Sequence, residues 1–191
     1  GIPVTLTMRP APAGSGIIFR RIDLTGAPEV PAKSEFVTNT LRATTLERGD
    51  AKVFTVEHIL SALFALRIDN CILEMDAPEP PVADGGALTF SQMILKAGIV
   101  ELEKQTDILT LETSVAVYED NKFITALPYD GLRITFTSIN PHPLLGTQMK
   151  DFIIDKETYI REIAPSRTIG FTWELEAMRQ RRYVGKRCRL F

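Results

Sequence analysis

The sequence predicts an α+β chain organised as two domains of one repeated topology. Apolar and polar residues alternate with period two at several places, as half-buried strands require, whereas two separate stretches carry apolar residues at helical spacing. A charged break, Glu101-Leu102-Glu103-Lys104-Gln105-Thr106-Asp107, divides the 191 residues. The segments Val4 to Asp23 and Phe123 to Asn140 also run alike: strand, proline, glycine-bearing turn, strand, then an Ile-Asp or Ile-Asn ending. Internal self-similarity of this kind marks a repeated unit. The predicted domains are residues 1–104 and 105–191.

In chain order, Val4, Leu6 and Met8 alternate with Thr5 and Thr7 as a first strand. Pro10 to Gly16 turns the chain, and Ile17-Ile18-Phe19 resumes a strand. Pro28 and Pro31 make residues 27–33 a surface loop. Residues 40–46 are predicted as a strand, followed by a turn at Glu47-Arg48-Gly49-Asp50. Val56, Ile59, Leu60, Leu63 and Phe64 then recur at helical spacing, with Thr55 as candidate N-cap. Cys71 to Met75 is a short strand leading into residues 76–86, a loop stiffened by Pro78, Pro80 and Pro81 and closed by Gly85-Gly86. A second helix places Phe90, Met93, Ile94 and Ala97 on one face. Beyond the break, strands are predicted over 108–111, 114–118, 123–127 and 132–137, with a hairpin turn at Glu119-Asp120-Asn121. Residues 159–163 are predicted helical, ending before Pro165, and another helix spans 173–182 with Trp173 and Ala177 inward.

Composition narrows the function classes. The chain is 45% hydrophobic and 24% charged, ordinary for a globular protein. A net charge of -2 gives no global argument for nucleic acid or an anionic membrane. Cys71 and Cys188 lie far apart without a CxxC, so neither a disulfide framework nor a zinc ribbon is implied. Free thiols without a signal-peptide pattern predict a reducing, cytoplasmic setting. No apolar run approaches the ~18 residues of a membrane-spanning helix. The last 13 residues, 179–191, hold six basic and no acidic side chains. Such a tail either binds phosphates electrostatically or is the ragged end of a chain that continues; the second reading is preferred.

The chemistry concentrates at Thr55-Val56-Glu57-His58-Ile59-Leu60-Ser61-Ala62-Leu63, where a carboxylate precedes one of only two histidines. On a helix, sequence neighbours point about 100° apart, so Glu57 and His58 aim at two spots rather than at each other. That suits a metal ligand beside a general base for an activated water. The same residues also read as a partly buried histidine next to an exposed glutamate at a helix start, which is locally the commoner case. His142 reads as a loop histidine. Asp76, Glu79 and Asp84 read as solvated turn residues, although Asp84 stands just ahead of a helix, where a carboxylate is favoured.

Together with Ile68-Asp69-Asn70, Asp76-Ala77-Pro78-Glu79 and Asp84-Gly85, that stretch resembles the bacterial UDP-3-O-acyl-N-acetylglucosamine deacetylases, zinc enzymes at the committed step of lipid A synthesis. Further matches are Leu6 to Gly14, His142-Pro143 with Gly146 and Gln148, and Glu162 to Phe171, all in the family's order. The resemblance implies two α+β domains, each a layer of sheet against helices, with the active site between them and the second domain incomplete here. It makes His58 the first ligand of a Zn2+ cofactor, Glu57 the general base and Thr168 the hydroxyl that helps stabilise a tetrahedral oxyanion. Asp84 matches an aspartate near the site, with its role open between support and helix capping. The implied partner is a UDP-linked acylated amino-sugar substrate, acted on by a cytoplasmic monomer with no nucleic acid and no transmembrane segment.

Departures from the pattern shape the expectation for this chain. The family's other two zinc ligands lie on a later His-Lys-x-x-Asp helix and its general acid is a still later histidine, whereas no histidine follows His142 here. Ile169 stands where the family has Phe. The expectation is therefore a chain truncated at both ends, binding zinc weakly through His58 and inactive as it stands. The alternative is a non-catalytic interaction domain of the same fold that binds phosphate or nucleic acid through its basic tail.

Overall fold

A computed structural model describes residues 3–106, 108–172 and Glu174. The period-two stretch near the start forms β1 (Leu6–Pro10), and Ile17–Arg21 forms β2. Strand β3 (Glu29–Pro31) is a short addition inside the predicted proline loop. A meander follows, β4 (Val37–Asn39), β5 (Thr45–Arg48) and β6 (Ala51–Val53), then helix α1 (Glu57–Ala65), strand β7 (Cys71–Met75) and helix α2 (Leu88–Ala97). The fold class is α+β.

Strand β7 is central in a four-stranded sheet of order β1-β7-β2-β3. It alternates strictly, with Cys71, Leu73 and Met75 buried and Ile72 and Glu74 half-buried. It runs antiparallel to β1, placing Met8 opposite Leu73, and parallel to β2, placing Phe19 opposite Leu73. Parallel neighbours need a long crossover; here it contains β3, the β4-β5-β6 meander and α1. The polar face of the sheet is laced across strands: Arg20 reaches Glu29 at 2.6 Å and Glu74 at 3.0 Å, and Arg9 also pairs with Glu74.

Helices α1 and α2 pack on each other and on the sheet. Ile59, Ala62 and Leu63 of α1 and Phe90, Ser91 and Ile94 of α2 are buried, at the spacing that defines one helical face. Phe19, Val30, Val53, Val56, Leu73 and Met75 complete the same core. Phe64 and Met93 lie outside it at 65% and 50% exposure, although the helical pattern places both on inward faces.

After the charged break, β8 (Val115–Glu119) and β9 (Lys122–Ala126) form a hairpin in which Glu119 pairs with Lys122. The two-residue turn contains Asp120 at φ 51°, the left-handed conformation that such turns require. Strands β10 (Arg133–Ile139) and β11 (Thr147–Ile153) form a second antiparallel ladder. Apolar residues of these strands are exposed, among them Phe123, Ile124 and Phe136. A short turn α3 (Lys156–Thr158), capped by the Asp155 carboxylate on Thr158 N–H at 2.7 Å, runs into one π-helical turn at Tyr159–Ile163. Tyr159 and Ala164 rejoin the core built by the first hundred residues.

Several expectations need correction. Residues 40–46 are not one strand: the Asn39 side chain accepts from Leu41 N–H at 2.7 Å and Arg42 takes φ 63°, so the chain turns between β4 and β5. Residues 108–111 carry no strand, and β11 was not predicted, because its pattern mixes Lys150 and Asp151 into an exposed ladder. Among the described residues the strand pairings do not confirm a repeated topology. The helix expected over 173–182, apart from Glu174, and the basic tail lie outside the described residues. Among the described residues no helix is long and apolar enough to cross a membrane.

Candidate active site

Helix α1 begins two residues after one in an unusual conformation. Thr55 has φ 54°, rare for a β-branched residue, and its hydroxyl donates to Glu79 Oε1 at 2.6 Å. Thr55 is therefore not the N-cap; Val56 occupies that position, without a side-chain cap. The turn delivers Glu57 and His58 as the first two residues of the helix. Glu57 is exposed, and its Oε1 accepts from Thr44 N–H in the loop between β4 and β5. That loop is tied down in turn by an ion pair between Arg42 and Glu174. Oε2 of Glu57 faces no hydrogen-bond partner among the described residues.

His58 is half-buried, and its Nε2 lies 3.2 Å from Thr168 Oγ1. The two residues are 110 positions apart in the chain. The approach is set by backbone: Thr168 N–H donates to Gly85 O at 3.3 Å, and Ala87 N–H donates to Ala164 O at 3.1 Å. Residues 85–87 and 164–168 thus lie side by side. Behind them Tyr159, only 3% exposed, sits between the two helices, its hydroxyl 2.6 Å from Ser61 Oγ. Ser61 Oγ also reaches His58 O at 3.2 Å, so Tyr159 braces the turn that carries the imidazole. Burial pushes the Tyr159 phenol up, and its contacts with Ser61 and Ser91 only partly oppose this.

Of the four sequence-predicted residues, His58 and Thr168 are brought together, and Glu57 precedes His58 in the chain. Asp84 serves differently. Its Oδ1 accepts from Thr89 N–H in the first turn of α2 at 3.4 Å, and no hydrogen bond joins it to the other three. Burial works against its ionisation, but bonds from Thr89 and from backbone N–H groups, including that of Gly86, outweigh it and hold the carboxyl below its ordinary range. Of its two open roles, helix capping is the one with a bond. Asp76 and Glu79 are also engaged rather than simply solvated: Asp76 accepts from Thr5 N–H at 2.7 Å and Glu79 from Thr55. Thr44, Ser61 and Tyr159 were not singled out from the sequence, and Glu79 was read as a solvated turn residue. Only Glu79 had a visible signal, its place in the stiff loop. His142 is a loop histidine: its Nδ1 accepts from Leu144 N–H at 3.2 Å and its ring packs on Phe171 at 5.4 Å.

A catalytic zinc normally takes three protein ligands and leaves one position open. Among the described residues no group of three or more His, Cys, Asp or Glu side chains converges. Among the described residues, one imidazole with a carboxylate next to it in the chain does not make a complete zinc site.

Comparison with known proteins shows the family of the chain. The sequence model of UDP-3-O-acyl N-acetylglycosamine deacetylase matches residues 1–187. The chain belongs to this deacetylase family. It is 40% identical over 182 residues to the UDP-3-O-acyl-N-acetylglucosamine deacetylase of Legionella pneumophila (strain Corby), covering 94% of this chain and 60% of that relative. It is 40% identical over 181 residues to the enzyme of the same name from Bdellovibrio bacteriovorus, covering 95% and 60%. With the bifunctional enzyme LpxC/FabZ of Chlorobaculum tepidum it shares 42% over 181 residues, covering 93% of this chain and 38% of the relative. The chain thus spans about 60% of the length of the first two relatives.

Proposed function

We propose that the chain carries part of the catalytic machinery of a zinc-dependent deacetylase that hydrolyses the N-acetyl amide of a UDP-linked, 3-O-acylated N-acetylglucosamine in lipid A synthesis. The observation that carries this reading is the meeting of His58 with Thr168 across 110 residues, with the exposed Glu57 the residue before His58. Glu57 is the general base: its free Oε2 takes a proton from water as the water oxygen attacks the amide carbonyl carbon. The tetrahedral intermediate places negative charge on the former carbonyl oxygen. The Thr168 hydroxyl donates to that oxygen, a contribution of about 3 kcal/mol for one well-placed donor. Collapse breaks the C–N bond, giving acetate and the free amine, which takes up the proton. His58 would be this chain's ligand to a zinc ion, which would supply Lewis acidity to the carbonyl and acidify water.

The described donors account for one of three usual protein ligands, which supports weak zinc binding and low turnover by these 191 residues as they stand. Division into units 1–104 and 105–191 is part of the same reading, supported by the exposure of β8 to β11. So is a cytoplasmic setting, which suits the buried free thiol of Cys71.

Calorimetric titration of Zn2+ into the chain tests the assignment. Weak binding lost in His58→Ala is expected, together with little deacetylation of the UDP-linked substrate. Tight zinc binding that survives His58→Ala would remove His58 from the metal site.

A further inference from the structure

Gly86 is buried. Unlike Gly85 next to it, it does not occupy the left-handed region, so its backbone conformation does not demand glycine. Space does. A Cβ at this position would lie 2.6 Å from Ser166 O and 3.1 Å from Ala164 O. Both are backbone atoms, which cannot swing aside as the tip of a flexible side chain can. The segment that Gly86 touches is the one that delivers Thr168, and backbone bonds flank the contact: Ala87 N–H to Ala164 O and Thr168 N–H to Gly85 O.

We propose that Gly86 is a positioning residue for the site: its missing side chain lets residues 164–168 lie against residues 85–87, and this close approach sets the Thr168 hydroxyl on His58 Nε2. The functional meaning rests on the reading of Thr168 as a catalytic hydroxyl. The geometric claim can be measured without it. Gly85 provides the control. At φ 82°, with nothing within 4 Å of a built Cβ, it tolerates a methyl only at the expense of backbone strain, and that methyl pushes on nothing.

The experiment reads the ring nitrogen resonances of His58 by NMR in the 191-residue protein, comparing Gly86→Ala, Gly85→Ala, Thr168→Val and Thr168→Ser. Thr168→Val is expected to move the Nε2 resonance and Thr168→Ser to leave it nearly in place. Gly86→Ala is expected to move it in the direction of Thr168→Val by at least half as far, whereas Gly85→Ala lowers the melting temperature without moving it. A variant that unfolds in buffer is measured in trimethylamine oxide, which favours the compact state. The proposal falls if Gly86→Ala leaves Nε2 at its wild-type position, if Gly85→Ala moves it equally, or if Thr168→Val has no effect. It also falls, in favour of a purely structural role, if Gly86→Ala stays unfolded in the osmolyte. Failure of the deacetylase reading, tested by zinc binding and turnover, leaves these resonances unaltered.

Discussion

Thr55 donates its hydroxyl to Glu79 across 2.6 Å while holding a left-handed backbone, φ 54°, two residues before Glu57. A β-branched residue in that conformation is held at a cost of about 1–3 kcal/mol, and the bond to the loop carboxylate is what holds it. The start of α1 is therefore fixed by the 76–86 loop, not by a cap on the helix itself.

That relationship predicts an asymmetric mutational pattern. Thr55→Ala keeps the strain and loses the bond, and is expected to destabilise by about 1 kcal/mol, lowering the melting temperature by roughly 2–4 °C in a chain of this size. Thr55→Gly loses the same bond but relieves the strain, so thermal unfolding is expected to place it close to wild type. A Thr55→Gly variant as unstable as Thr55→Ala would show that the turn stores no strain.

The hydroxyl contact between Tyr159 and Ser61 makes a separate prediction. Tyr159→Phe removes the phenol's contacts with Ser61 and Ser91 at a 3% exposed position, yet Ser61 keeps its bond to His58 O and Ser91 its bond to Ala87 O, so neither is orphaned. The expected cost is about 1 kcal/mol, below that of a change leaving a buried group unpaired. The sign with pH follows from the raised phenol. Its ordinary value is 10.0, and burial keeps the folded group neutral above that. The unfolded chain ionises first, so stability is full below pH 10 and falls as pH rises beyond it. Denaturant melts at alkaline pH check this; Tyr159→Phe should flatten the decline.

What the sequence made legible divides along physical lines. The place of Glu57 and His58 at a helix start was readable because α1 has an apolar face at helical spacing, and helical geometry then fixes the relative directions of adjacent residues. β7 was readable because both its ends are bounded and its buried residues alternate. The contact between Thr168 and His58 was implied only by resemblance, since backbone bonds from residues 85–87 to 164–168 create it and backbone bonds leave no residue-type signal. Thr44 is the extreme case: it holds Glu57 through its N–H, which every residue but proline has. Thr55 was misread because hydroxyl residues before helices are usually caps, whereas here the hydroxyl serves the loop. β11 escaped because an exposed ladder needs no period-two alternation.

Asp84 and α2 give a third prediction. Asp84 reaches Thr89 N–H at 3.4 Å, long for a hydrogen bond, so Asp84→Ala is expected to cost about 0.5 kcal/mol, the low end for loss of a cap. Because its folded pKa lies below the ordinary 3.8, the contribution is present above pH 3.8 and disappears as pH falls through the depressed folded value. Acid titration of stability in wild type and Asp84→Asn should converge at low pH. If Asp84→Ala abolishes His58-dependent zinc binding without loss of helix, the residue supports the site directly rather than through α2.

The β10–β11 ladder carries the sharpest pH marker. Arg133 grips Asp151 with two nitrogens, at 3.0 and 2.6 Å, and the Thr135 hydroxyl adds a bond at 2.6 Å. All three partners lie on adjoining strands, with Thr135 directly opposite Asp151 in the register. The Arg133 guanidinium, then the Thr135 hydroxyl, bring the carboxyl from 3.8 down to about 2. A depressed acid stabilises the folded ladder fully above its unfolded value and loses that effect as pH falls through the folded one. The ladder is therefore expected to hold at pH 4 and to weaken toward pH 2, as read by amide exchange across β10 and β11. Asp151→Asn removes the charge and should erase the acid step; an unchanged step in that variant would assign it to another carboxylate. High salt should weaken the pairing before the step is reached, because the group is solvent-facing and open to screening.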